Sequence, residues 1–426
     1  MIFSLIYILI TIIWIVYGTS KIKLHPFFVL LSACLLLGLL LGIDLNEILN
    51  LIKDGSGKII RDIGLLILFG TLIGVALEDS NGTLSIANGL LKNLHKLPLT
   101  YAVSCIGYLV SIPVFCDAAF VILSRLIKEL ATQTKTPMVG LTVSLSTGLF
   151  APHVLVPPTP GPLAAASNLE LENIFLLVFV GGLIAFILIL VGGAYGNYLV
   201  KNNKHEFKKY IYQNFLEPKS STPAFSKAIQ PIIIPIILMG IGAFIKFLPD
   251  NSSIFTFLKF VTEPPSALFI GMLFAFRIVF REKNNFLKNI LKKGFSQSAP
   301  IIIVTAMGGA LGSIIQTIPI QEYTQNITSN QALGLLIPFI IAAILKTAQG
   351  SSTVAIITTS SIILPLLPIL DLDSEVGKVW AIMALGVGSM TVSHANDSYF
   401  WVVTQMTGMK LETAYKTHTI GTLLQG

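Results

Sequence analysis

An all-α, polytopic membrane protein with several interrupted helices is the fold class this sequence predicts, on three observations. Apolar residues fill 54% of its 426 positions and charged residues only 12%, about half the ~25% charge of a soluble domain. Mean hydropathy is +0.80. Next, the runs 2–18, 26–43, 59–78, 173–200, 229–249, 264–281 and 299–318 approach or exceed the ~20 mostly apolar residues a helical span needs. Finally, these runs are continuous. They are not the alternating ~10-residue segments of a barrel, the only other structure that satisfies its backbone in lipid. Two polar-punctuated stretches, 98–165 and 333–410, read as broken or re-entrant helices.

Taken in order, Ile2–Tyr17 has no basic region before it and no small-residue cleavage site after it, so it reads as a retained span. Basic residues gather at Lys21/Lys23, from Lys201 to Lys227 and from Arg277 to Lys293. The positive-inside rule puts these loops in the cytoplasm. Loops 168–173 and 319–331 carry acids without Lys or Arg, which suits the outside; 44–58 reads as a mixed loop. On this scheme the N-terminus is outside, 26–43 runs outward and 59–78 inward. Beyond the cytoplasmic loop, 229–249 runs outward, 264–281 inward and 299–318 outward. The net charge of +7 therefore speaks of orientation rather than nucleic acid. Cys34, Cys105 and Cys116 lie in apolar context without metal-ligand spacing and read as small buried residues.

The halves echo each other. Ile63 to Gly74 resembles Ile301 to Gly312, and the charge scheme runs these two segments in opposite directions. Breaks follow at Ser111-Ile112-Pro113 and at Gln349-Gly350-Ser351-Ser352, then His153 and His394, at a nearly constant offset. Ordered landmarks with opposite topology predict an inverted-repeat secondary transporter. Its first repeat covers 1–200, a cytoplasmic linker 201–228, and the second repeat 229–426.

Polar groups inside such spans are expensive and mark sites. In Lys346-Thr347-Ala348-Gln349-Gly350-Ser351-Ser352-Thr353, freed N–H groups and hydroxyls can hold a carboxylate at a half-helix N-terminus, and Lys346 adds a charge; packing of Ser/Thr between helices is the alternative. Pro113 breaks the preceding helix. Asp117 follows between Phe115 and Phe120, placed either for proton uptake or to cap the next half-helix. His153, ahead of Pro157-Pro158-Thr159-Pro160, and His394, ahead of Asn396-Asp397-Ser398, are substrate or proton contacts or satisfied structural histidines. Asp397 reads equally as an N-cap. Ser393, Asn396, Asp397 and Ser398 offer donors and acceptors to a polyhydroxylated substrate. Glu78-Asp79 sits at a helix end in interfacial water, Arg125 and Glu129 are spaced for an i, i+4 pair, and His25, His95, His205 and His418 fall in loops or near span ends.

Enzyme signatures fail. Gly55-Ser56-Gly57-Lys58 has Ile52 where a P-loop needs Gly and Ile59 where it needs Ser or Thr. No zinc-protease His pair or nucleophile elbow occurs, and Asp371, Asp373 and Glu375 read as a solvated loop. No cofactor and no metal site is expected.

Four motifs resemble the gluconate:proton symporter (GntP-type) family of bacterial inner membranes: Gly64 to Ser80; Ile112 to Asp117; His153 to Pro162; and Gly350 to Ala355 with Ser393 to Trp401. They spread over residues 26 to 415. The resemblance implies an inverted-repeat fold and proton-driven import of gluconate or a related sugar acid. Thr159 stands where that family commonly has His, and Asp117 where it often has Glu or another residue. Gly426 ends the chain where relatives carry a further apolar helix. The expected site is Pro113, Asp117, His153, Thr159, Lys346, Gln349 to Thr353, Ser393, His394 and Asn396 to Ser398. Asp117, His153, His394 and Asp397 are the proton-coupling candidates. Expected partners are a small anion, a coupling proton or sodium ion, membrane lipid and a further copy of the chain. Alternatives are a sodium-coupled carboxylate or D-serine-like amino-acid symporter and, more remotely, a membrane-embedded enzyme. A channel is disfavoured because conduction needs weak, multi-site binding.

Overall fold

The structure, a computed structural model, describes residues 2–94, 96–202, 222–244, 253–279, 286–318 and 331–426. His95, His205, most of the linker 201–228, the acidic loop at 319–330 and residues 280–285 of the third basic loop lie outside the described residues. Within them every regular element is a helix.

The first half contains α1 (Ile2–Ser20), α2 (Pro26–Leu40), α3 (Leu45–Asp79), α4 (Gly82–Asn93), α5 (Leu99–Ser111), α6 (Cys116–Thr134), α7 (Met138–Leu155), α8 (Pro160–Asn168) and α9 (Ile174–Asn202). After the short α10 (Phe225–Ala228) come α11 (Gln230–Phe244), α12 (Ser253–Thr262), α13 (Pro264–Val279) and α14 (Phe286–Gln316). The chain continues through α15 (Gln331–Gln349), α16 (Ser352–Ile363), α17 (Glu375–Met390), α18 (Ser398–Thr407), α19 (Leu411–Ala414) and α20 (Ile420–Gln425). The α3, α7–α8, α9 and α14 segments are long and apolar enough to cross a membrane, and α12 with α13, bent by 70°, adds a fifth candidate.

Two expectations about loops are corrected. The basic stretch Arg277–Lys293 ends in helix, because α14 begins at Phe286. The 44–58 segment is helix, not loop, and makes α3 35 residues long. Asp44 caps it by accepting from Asn46 N at 2.9 Å. Ile48, Ile52, Gly55 and Ile59 are buried on it at spacings of four, three and four, an amphipathic stripe that the scattered charges disguise. Gly55-Ser56-Gly57-Lys58 is thus helix interior.

The long helices α3 and α14 pack antiparallel, because Gly55 meets Gly309 and Ala310 while Leu72 meets Gly294 further along. A Cβ on Gly55 would stand 2.6 Å from the Gly309 carbonyl, so the contact needs glycine. Close backbone approach replaces the hydrophobic drive that lipid removes.

Among the described residues, four interruptions besides the α12–α13 bend sit inside helical stretches, at 112–115, 156–159, 350–351 and 391–397. Pro113 and the Pro157-Pro158-Thr159-Pro160 run explain the first two, since proline removes a donor and clashes one turn back. Gly350 has φ +86°, a left-handed conformation glycine adopts without strain. At 391–397 the chain is extended at Thr391, with ψ 133°, and α18 restarts from a cap at Asp397.

Candidate functional site

The breaks after α15 and α17 meet directly. A Cβ on Gly350 would collide with the Asn396 carbonyl, so only glycine lets the two strands of chain approach this closely. From the last turn of α15, Lys346 Nζ donates to the Gly350 carbonyl at 2.6 Å and pairs with Asp397 Oδ2 at 2.6 Å. Both side chains are almost wholly buried, at 1% and 5% exposure. The Phe150 ring of α7 lies 5.7 Å from the ammonium, the range of a cation–π contact.

Asp397 is the most heavily bonded side chain in this region. Ser393 Oγ donates to its Oδ2 at 2.5 Å, and Tyr399 N donates to its Oδ1 at 3.0 Å as the cap of α18. Capping and ion pairing, alternatives in the sequence, coexist because the two oxygens serve different donors. Three donors on one carboxylate hold it as an acceptor. Nearby, His394 Nε2 lies 3.1 Å from the Thr347 carbonyl, which also accepts from Asn396 Nδ2. These two side chains satisfy a carbonyl freed by the end of α15. His394 is half-buried; Asn396 and Ser398 are exposed.

The first-half breaks supply a different kind of residue. Asp117, on the first turn of α6, makes no capping bond, and its Oδ1 is buried without a hydrogen-bond partner in the protein. His153, on α7, has a buried Nδ1 in the same condition, with the Phe115 ring 6.2 Å away. Both Asp117 and His153 lie within electrostatic reach of Lys346 and Asp397. Ser111 Oγ and both amide atoms of Gln349 are likewise buried and unpartnered. Buried polar atoms are nearly always bonded, so a set left open at helix breaks points to a ligand or water. Pro113 is buried, and its carbonyl abuts Gly74 of α3. Thr159 is buried, and its hydroxyl donates to Val156 O at 2.6 Å. Ser351 caps α16 by accepting from Val354 N at 3.3 Å, leaving Ser352 buried and Thr353 half-buried behind it.

Other residues fall elsewhere. Glu78 and Asp79 receive Lys293 Nζ at 3.4 and 2.7 Å. Glu129 accepts from Gln133 rather than from Arg125. His418 is not in a loop: it occupies a π-helical turn at Tyr415–Thr419 and is completely buried. Its one sequence signal is the polar run Thr417-His418-Thr419 ahead of apolar α20. Also unread in the sequence is Asn168, whose Nδ2 donates from α8 to Ser360 and Ser361 of α16 at 2.8 and 3.1 Å, tying the two halves together.

The GntP family permease model matches residues 3–426. An uncharacterized permease of Haemophilus influenzae is 31% identical, over 94% of this chain and 85% of its own. A D-serine transporter of Escherichia coli is 28% identical over 98% and 94%, and a gluconate permease of Pseudomonas aeruginosa 27% over 96% and 92%. Among solved structures, that of the Alcanivorax borkumensis YdaH transporter, described as having an unusual topology, superimposes with a TM-score of 0.60 at 13% identity. It covers 94% of this chain and 97% of that one, a likeness of fold.

Proposed function

The chain belongs to the GntP permease family, and from that premise we propose that it imports gluconate or a related small hydroxy-carboxylate in symport with protons. It is a multi-pass membrane transporter, not an enzyme. The proposal adds the inner membrane, the substrate and the coupling ion. One observation carries it: a buried Lys346–Asp397 pair beside unpartnered atoms of Asp117, His153 and Gln349, where helix breaks from both halves come together.

The charges suggest the order of events. Lys346 and Asp397 cancel, so an ionised Asp117 leaves the cluster at −1 and repels an anion. A protonated Asp117 brings the sum to zero and admits one. Asp397 is fully occupied by three donors, whereas Asp117 Oδ1 is free to exchange a proton. Asp117 is therefore the preferred coupling acid among the four candidates. The substrate carboxylate would meet the N-terminus of α16 at Ser351, Ser352 and Thr353, with Lys346 near. Its hydroxyls would meet Gln349, Ser111 and His153, with His394, Asn396 and Ser398 at the edge.

Alternating access would come from two inverted repeats, 1–200 and 229–426, rocking about this site with 201–228 as their link. Antiparallel α3 and α14 and the order helix–break–helix, occurring twice in each half, support that reading. A second reading, a zwitterion such as D-serine with sodium as the driving ion, draws on the D-serine relative.

Uptake by purified protein in proteoliposomes decides between them. Gluconate, glycerate, lactate, D-serine and citrate are offered first under a pH gradient and then under a sodium gradient. Gluconate accumulation driven by the pH gradient alone is expected. Accumulation driven only by sodium overturns the coupling, and chemical conversion without vectorial uptake overturns the transporter reading.

A further inference from the structure

The Lys346–Asp397 pair has a second layer behind it. Ser393 Oγ, which donates to Asp397, lies 3.2 Å from His418 Nε2. On the far side of the ring, His418 Nδ1 lies 3.0 Å from Ser146 Oγ, and Ser146 Oγ lies 3.1 Å from the Val143 carbonyl. A continuous chain of hydrogen bonds thus runs from α7 through the π-helical turn to the buried carboxylate. Tyr399 OH donates to the Ser146 carbonyl at 2.9 Å, and Thr419 Oγ1 to the Ser393 carbonyl at 2.6 Å, which fixes both ends.

This chain has an unusual freedom. Ser393 donates to Asp397, so its oxygen must accept, and Nε2 of His418 must carry a hydrogen. With a neutral ring, Nδ1 accepts from Ser146 O–H. With an imidazolium, Nδ1–H donates to Ser146 Oγ and the serine hydroxyl turns to the Val143 carbonyl. Every donor finds an acceptor in both states, and only one hydroxyl hydrogen rotates. A group that can only donate opposite either nitrogen would exclude the imidazolium, and neither serine hydroxyl is such a group.

Resting on the family reading above, we propose that His418 is a proton-accepting positioning residue that sets anion affinity through Ser393 and Asp397, separately from the coupling acid Asp117. Protonation adds one positive charge behind Asp397 without breaking a hydrogen bond. The carboxylate then keeps a cationic neighbour while Lys346 turns toward the substrate anion. Binding and protonation strengthen each other, and by reciprocity each anion bound draws a proton to the ring. The groups around the ring are few. The 391–397 segment brings Asp397, α15 brings Lys346, and α18 brings Tyr399 with ring centres 5.8 Å apart, while α7 meets the ring through Ser146. Glu412 of α19 pairs outward with Lys416 at 2.6 Å, and α20 contributes no titratable group.

Gluconate binding to purified transporter, measured from pH 5.5 to 8, tests the proposal. The wild type should bind more weakly as pH rises, by up to about tenfold per unit for each linked proton. His418→Gln keeps a donor to Ser393 but takes no proton, so its slope should fall by about one proton while pH-driven accumulation survives. A His418→Gln slope equal to wild type overturns the proposal. Should that variant not fold, Ser146→Ala removes the acceptor of Nδ1–H and should move the pH dependence toward more acidic values; an unmoved profile is equally fatal. Imidazole-15N spectra, with six histidines, give a readout independent of transport. The resonance lost in His418→Gln should shift toward the imidazolium position between pH 5.5 and 8 when gluconate is added, and a ring that stays neutral with gluconate present refutes the assignment. Loss of pH-driven uptake by the wild type would instead sink the symporter reading.

Discussion

Replacing Asp397 by alanine strips three donors of their acceptor at once: Lys346 Nζ at 2.6 Å, Ser393 Oγ at 2.5 Å and Tyr399 N at 3.0 Å. The largest effect is electrostatic. Lys346 is 1% exposed, and breaking a buried pair by removing one partner costs about 3–5 kcal/mol, because the remaining charge is left uncompensated. Loss of the α18 cap adds about 1 kcal/mol. Together the change should destabilise the transporter by about 4–6 kcal/mol. An unfolding entropy of about 2.1 cal/mol/K per residue over 426 residues turns this into a fall in Tm of about 5 °C, read by thermal denaturation in detergent. The double variant Lys346→Met, Asp397→Leu removes both charges and should recover most of the stability, yet it should not transport. A single variant with unchanged Tm, or a double variant as unstable as the single, would refute the buried-pair argument. Uptake by the double variant would refute its place in the site.

Other expectations follow from the same geometry. Asp117→Asn should abolish accumulation driven by a pH gradient while leaving some substrate exchange, compared by uptake and counterflow in the same vesicles. Gln349→Leu removes an amide with no partner in the protein, so Tm should hold or rise. Gluconate affinity should nevertheless drop roughly tenfold or more, given about 1–3 kcal/mol for a lost buried hydrogen bond. Gly350→Ala forces a side chain into left-handed backbone at about 1–2 kcal/mol and into the Asn396 carbonyl; both folded yield and uptake should fall, as read by size-exclusion chromatography and flux.

Much of this could be read along the chain. The spans at 2–18, 26–43, 173–200 and 264–281 correspond to α1, α2, α9 and α13, since twenty apolar residues in lipid have few options. The interruptions were equally legible. Pro113, the Pro157–Pro160 run and Gly350 forbid a continuous helix by local sterics, whatever surrounds them. The first half of α3 escaped because its charges, Lys53, Asp54 and Lys58, mask a buried stripe whose partner, α14, is distant in sequence. His418 escaped for a related reason: a histidine near a chain end carries no sign of what encloses it.

Composition and local sterics alone thus determined that this protein is a membrane-embedded helical bundle and where its helices break, because both depend on a residue and its near neighbours. Which polar groups satisfy one another was decided by packing. The pairing of Lys346 with Asp397, the wiring of Asp397 to His418 through Ser393, and the stranding of Asp117 Oδ1 without a partner all join segments far apart in the chain. Hydrogen bonds and ion pairs act over a few ångströms, so only the fold brings such partners into range.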